Sequence, residues 1–283
     1  ALTLGLAAFY SLHVSLLLVR RLHDRGLLLT LTALAAFFLT LTMPIALSKE
    51  WLTLSWAALA FFLLWLGRRV DSRFLRLLAY ALYVITLGRV LVFDLDREFG
   101  LWRRAGEAPA LRDYGRLLAG RLLVFGAPIL SLFGAWWLHR RPTAAGRLAV
   151  GRDNDTPGVP MPVALAVFFW AAVLALFGYL NFECDRFFTV AGDPARLPML
   201  TVLWVGLCAL VAWRYAVRRH SALLAVLVLL VLAVLAKLWY FDLPSWNLNM
   251  ADGFVGFYRR WSPADAGLRL LDAGVVLLLL WGV

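Results

Sequence analysis

The sequence predicts an all-α protein whose helices cross a membrane several times, and three features carry that prediction. Apolar residues make up 63% of the 283 positions against 16% charged, and the mean hydropathy is +0.80, whereas soluble domains are nearer 45–50% apolar and about 25% charged. The apolar residues fall into blocks of about 17–22, each long enough to cross a hydrocarbon core of roughly 30 Å at about 1.5 Å per helical residue. Basic residues sit in short clusters between these blocks instead of along one face, so the net charge of +11 reads as membrane topology and not as a nucleic-acid surface.

Nine candidate spans follow, over 1–19, 27–48, 51–67, 74–95, 117–138, 161–181, 198–214, 221–241 and 267–283. The connections after the first, third, fifth and seventh hold 14 Lys and Arg against four acids, a net of +10, while everything on the opposite side nets +1. The positive-inside rule assigns the first set, with Arg20, Arg68, Arg140 and Arg214, to the cytoplasm of a bacterial inner membrane. Aromatic rims fit this arrangement: Trp51, Trp102, Trp239, Tyr240, Trp246 and Trp261 on one side, Trp65, Trp136, Trp137 and Trp213 on the other. The two longer outer connections, carrying Leu101-Trp102-Arg103-Arg104 and Tyr258-Arg259-Arg260-Trp261, read equally well as interfacial segments or as solvated loops. Ala1 to Leu6 lacks an initiator Met and a basic leader, and the end runs apolar to Val283. The chain is therefore expected to be a piece of a longer membrane protein.

An internal repeat gives the finer organisation. An offset of 148 pairs 51–95 with 199–243 without gaps and yields 11 identities in 45 positions. Six of these are Leu, which mean little in such helices; the informative ones are Thr53/Thr201, Trp56/Trp204, Trp65/Trp213, Phe93/Phe241 and Asp94/Asp242, with Arg89 set against Lys237. Farther on, Gly115-Arg116-Leu-Leu matches Leu268-Arg269-Leu-Leu. Two four-helix units are expected, 27–141 and 161–283, joined by a cytoplasmic linker over 142–160 and preceded at 1–26 by the last helix of an earlier unit. Four helices preserve orientation, so the repeats run parallel.

The phrases Leu54-Ser-Trp56 and Trp65-Leu-Gly67, followed by Arg89 or Lys237 and then Phe-Asp-Leu, make the chain resemble the large bacterial membrane proteins grouped as DUF2339, a domain of unknown function. That resemblance implies tandem transmembrane helices and no settled activity. The second unit departs from the pattern, with Arg214-Tyr215 where the first has Leu66-Gly67.

The candidate site residues are those the repeat and its borders share, Arg89, Asp94, Arg116, Lys237, Asp242 and Arg269, together with Asp96 and Glu98 of the first copy. Five residues of α-helix turn through about 140°, so Arg89 and Asp94 are expected on different faces, each with a partner elsewhere. On the structural account Arg89 and Lys237 reach the outer interface while the aspartates pair with Arg116 and Arg269; on the functional account the group faces a lipid headgroup or soluble substrate. The run Asp94-Leu-Asp96-Arg-Glu98 could hold a divalent cation in a transferase, but the second copy reads Asp242-Leu-Pro-Ser. Asn181-Phe-Glu183-Cys-Asp185-Arg186 and Lys49-Glu50 read as compensated rims, His13 as a hydrogen-bonded core histidine, and Cys184 and Cys208 as bland residues.

No catalytic, nucleotide or cysteine-ligand motif occurs, and no cofactor or metal is indicated. Apart from Arg89 and Lys237, hardly any ionisable residue is expected deep in a span, which disfavours ion-coupled transport. The leading expectation is a non-enzymatic scaffold or lipid- and polysaccharide-handling protein whose partners are membrane lipids, envelope polysaccharide or other membrane proteins, not nucleic acid. A polytopic transferase acting on lipid-linked sugars, or a facilitator or flippase, is the alternative.

Overall fold

The computed structural model describes residues 2–19, 49–69, 72–100, 111–140, 161–191, 195–245, 248–249, 256–257 and 263–282, with single positions at 27, 31, 34, 35 and 38. The helices are α1 (Leu2–Val19), α2 (Lys49–Arg69), α3 (Arg73–Arg89), α4 (Leu95–Phe99), α5 (Leu111–Arg140), α6 (Met161–Ala191), α7 (Arg196–Arg218), α8 (Ser221–Lys237), α9 (Leu243–Ser245) and α10 (Pro263–Gly282). Two π-helical turns, π1 (Val90–Asp94) and π2 (Leu238–Asp242), continue α3 into α4 and α8 into α9. A two-residue antiparallel pair joins Leu248 to Phe257 and Asn249 to Gly256. The predicted span over 27–48, the linker over 142–160, and Trp102, Trp246 and Trp261 lie outside the described residues, apart from the five single positions.

Among the described residues, six helices are long and apolar enough to cross a membrane: Trp51–Arg69, Arg73–Phe99, Tyr114–Arg140, Pro162–Ala191, Arg196–Arg218 and Ser221–Ser245. The chain is thus a multi-pass membrane protein by its helices, with large apolar side chains such as Val84, Leu130, Leu174, Leu229 and Leu277 turned outward. An apolar exterior is stable only against lipid, where helices associate through close packing and internal hydrogen bonds and not through expulsion of water. Contacts divide the chain into two units, Ala1–Ala105 with Gly115–Leu176, and Gly106–Tyr114 with Phe177–Val283.

In the first unit, α2 and α3 form a tight antiparallel hairpin against α5 and the first part of α6. Its core is Leu63, Leu64, Leu75, Ala79, Leu82, Leu132, Ala135, Phe168 and Ala172, with the small residues where backbones draw close. Two polar side chains inside are linked across helices: Tyr83 Oη bonds Ser131 Oγ at 2.7 Å, and Ser131 Oγ donates to the Ala57 carbonyl at 2.8 Å. The hairpin turn is closed by Ser72, whose hydroxyl caps α3 at Leu75 and whose N–H donates to the Gly67 carbonyl at 2.8 Å. Gly67 lets the helices draw close there, since a Cβ would stand 3.0 Å from the Arg76 nitrogen.

In the second unit, α7 packs against both α8 and α10, burying Leu207, Cys208, Val211, Leu227, Val234, Val276 and Leu279. The buried positions fall in step with those of the first unit at the offset of 148: Ala60 and Cys208, Leu63 and Val211, Thr86 and Val234, Thr53 and Thr201. Cys208 therefore occupies a small-residue position in a helix contact and is not paired. The turn is built differently here: Arg219 takes a positive φ of 49° and its N–H bonds the Tyr215 carbonyl, so no residue must vanish to let α8 approach. This accounts for Tyr215 standing at the position of Gly67.

Candidate functional site

Arg89 and Asp94 stand on one face, contrary to the expectation from α-helical geometry, and so do Lys237 and Asp242. The reason is the π-turn between them. In each copy the backbone N–H after the aspartate bonds the carbonyl five residues back, Leu95 to Val90 and Leu243 to Leu238. A turn widened by one residue returns residue i+5 to the azimuth that i+4 has in an α-helix. Arg89 Nε then lies 3.6 Å from Asp94 Oδ2. Lys237 Nζ sits 2.8 Å from each oxygen of Asp242. The intervening Leu91, Val92 and Phe93, and Trp239, Tyr240 and Phe241, are thrown outward.

A threonine from the neighbouring helix completes each cluster. Thr53 of α2 donates to Asp94 Oδ2 at 2.5 Å and accepts from Arg89 Nε at 3.0 Å. Thr201 of α7 lies 3.4 Å from Asp242 Oδ2 and accepts from Lys237 Nζ at 2.7 Å, and Lys237 also donates to the Leu197 carbonyl at 3.1 Å. Asp94 is 3% exposed and Asp242 1%. A charge buried so deeply is tolerable only when paired and hydrogen-bonded, which each cluster achieves within itself. All three residues recur at the same offset of 148, and so does the π-turn.

The environments differ between copies. Arg89 lies over the Trp56 ring, 5.6 Å from its centroid, whereas Trp204 donates its Nε1–H to Asn181 Oδ1 at 2.9 Å. The expected pairing of Asp94 with Arg116, and of Asp242 with Arg269, is not what the structure holds: the hydrogen bonds and ion pairs of both aspartates go to the cation and threonine of their own cluster, and Arg116 is exposed. Asp96 and Glu98 lie on α4, which ends at Gly100 with φ 62°, a conformation open to glycine. Glu98 faces Arg97 at 3.7 Å, and its carbonyl accepts from Arg121 Nη2 at 3.2 Å. Among the described residues no group of three His, Cys, Asp or Glu is placed to hold a metal ion.

Arg121 on α5, Glu183 on α6 and Asp272 on α10 are ionisable residues buried within the protein. Glu183, which is buried, accepts a short hydrogen bond from the Tyr114 hydroxyl. Asp185 does form a rim pair, with Arg196 at 2.6 Å. The signal for Asp272 in the sequence is its place in an otherwise apolar run; the signal for the threonines is their recurrence. His139, buried between α3 and α6, bonds the Ala135 carbonyl at 2.8 Å and Tyr80 Oη at 3.2 Å and lies against Phe168. At the opposite ends of the helices Arg69, Arg140 and Arg214 lie over Trp65, Trp136 and Trp213, an arrangement suited to an interfacial belt.

Comparison of the chain with protein-family models, with curated proteins and with solved structures finds no match.

Proposed function

We propose that the chain is a non-enzymatic membrane scaffold or a lipid- and polysaccharide-handling protein of the bacterial inner membrane, related to DUF2339, built of two parallel four-helix repeats over 27–141 and 161–283. In this reading nine helices span the bilayer, the helix within 1–26 closes a preceding unit, and the Arg-rich short connections face the cytoplasm. The single observation that supports it is internal neutralisation. The repeated charges are spent on one another: Arg89 on Asp94 and Thr53, Lys237 on Asp242 and Thr201. Groups fully engaged in fastening a helix to its neighbour are not free to bind a donor phosphate or carry out acid–base chemistry, and a feature kept in two copies of a unit serves what the copies share.

The transferase alternative needs Asp94, Asp96 and Glu98 as one oxygen-rich site. It loses Asp94, which is buried and paired. The deciding experiment uses protein purified into lipid nanodiscs. Asp96→Asn and Glu98→Gln should leave retention of vesicle lipid and lipid-linked polysaccharide unchanged, and no turnover of lipid-linked sugars should accumulate. Sustained turnover that either substitution abolishes, with melting unchanged, overturns the non-enzymatic reading.

A further inference from the structure

The α2–α3 and α7–α8 hairpins differ at their turns, the ends opposite the buried aspartates. Between residues 68 and 76 the first carries four arginines, Arg68, Arg69, Arg73 and Arg76, and one acid, Asp71. Arg140 and Arg141 add two charges after α5, and the linker over 142–160 offsets neither, holding two arginines and two aspartates. Whichever guanidinium Asp71 meets, three of the four remain in surplus, so this end of the unit is strongly positive.

Two of these cations are drawn into the fold: Arg68 is 9% exposed and Arg76 is half-buried. Gly67 brings their segments together, because the place a Cβ would take there is 3.0 Å from the Arg76 nitrogen and 3.2 Å from its Cγ, and Arg68 is the next residue along α2. One turn farther along α3, Tyr80 Oη bonds His139 Nε2 at 3.2 Å, while His139 Nδ1 donates to the Ala135 carbonyl at 2.8 Å. That pair ties this level of α3 to α5. The charges of Arg68 and Arg76 repel one another, and both act on Tyr80 and His139. The fold does not ask for these groups: the offset of 148 puts Ala216, Leu224 and Val228 in place of Arg68, Arg76 and Tyr80, and the α7–α8 hairpin forms without them. Gathering like charges in a half-buried place costs free energy. A costly feature kept in one copy alone serves something that copy does by itself.

We propose that Arg68 and Arg76, floored by Tyr80 and His139, bind the phosphate group of an anionic phospholipid. Guanidiniums present paired N–H donors that match phosphate oxygens, and one phosphate between two of them replaces their repulsion by two attractions. A zwitterionic headgroup brings its own ammonium toward the surplus cations and is the poorer ligand. The surroundings favour a lipid over phosphate from solution. Arg69 and Arg140 lie over Trp65 and Trp136 at this same end, an arrangement suited to the headgroup level. Phe74 and Leu77, 57% and 60% exposed, flank Arg76 on α3 and offer an apolar wall to acyl chains. The site needs only the first unit and holds whichever leaflet that end faces, so it stands apart from the scaffold reading.

The test is native mass spectrometry of the full chain in detergent, titrated with phosphatidylglycerol or phosphatidylcholine, with and without inorganic phosphate. The expected result is one phosphatidylglycerol retained per chain in preference to phosphatidylcholine. Its affinity should fall about thirtyfold in Arg68→Ala/Arg76→Leu and stay unchanged in Arg218→Ala/Arg219→Gly, which removes the same charge from the other hairpin. Equal retention of the two lipids, undiminished retention in Arg68→Ala/Arg76→Leu, or the same loss in both double variants overturns the proposal. Displacement of the lipid by inorganic phosphate overturns it in favour of free phosphate as the ligand. Should Arg68→Ala/Arg76→Leu not fold, Arg76→Gln decides: phosphatidylglycerol affinity about fivefold lower supports the site, and unchanged affinity overturns it.

Discussion

Arg89→Met is the sharpest probe of the buried clusters, because the first cluster carries one charge of each sign and its removal has a calculable cost. The substitution keeps an apolar stem and deletes the guanidinium that lies 3.6 Å from Asp94 and donates to Thr53. Asp94, 3% exposed, keeps only the Thr53 hydroxyl at 2.5 Å. Stripping a buried carboxylate of its cation destabilises by about 3–5 kcal/mol. Denaturation in detergent measures this, with Arg89→Met/Asp94→Leu beside it. The double variant should recover most of the loss, since an apolar pair of similar volume is about neutral in place of a buried ion pair. If Arg89→Met is as stable as the unsubstituted protein at pH 7, or the double variant is no better than the single, Asp94 is not the buried, cation-dependent group described above.

The exposed pair offers the contrast. Asp185→Asn should change stability by less than about 1 kcal/mol, because the Arg196 and Asp185 side chains are 38% and 37% exposed; a loss as large as that of Arg89→Met would mean that burial does not govern these interactions. Gly67→Ala should destabilise by about 1–3 kcal/mol through overpacking, since the added methyl meets the Arg76 nitrogen at 3.0 Å and Leu75 Cβ at 3.1 Å. Melting of that variant unchanged from the parent would show the α2–α3 turn to be looser than its geometry implies.

The membrane class was legible from composition and block length because crossing a bilayer demands long uninterrupted apolar helices, a requirement written residue by residue into the chain. Recurrence at 148 singled out Thr53, Arg89 and Asp94 with their counterparts before any contact was visible. The relation among them was not legible. Counting 100° per residue separates Arg89 from Asp94, and no residue between them announces a widened turn: Val90-Leu-Val-Phe and Leu238-Trp-Tyr-Phe share only Phe93 and Phe241. Helix ends ran farther than the apolar blocks too. The helix expected over 161–181 continues to Ala191, because Glu183 and Asp185 find Tyr114 and Arg196 as partners and need not mark its edge.

By itself, then, the sequence determined that this chain lies in a membrane and which polar residues its architecture repeats, since both depend on local composition and on comparison of the chain with itself. Only the tertiary structure decided that cation and acid share a face, that a threonine from the next helix completes them, and that Asp272 lies buried. The physical reason is that the azimuth of a side chain beyond a π-turn, and the charge it meets on another helix, are set by hydrogen bonds and contacts between segments far apart in the chain, and no window of residues contains them.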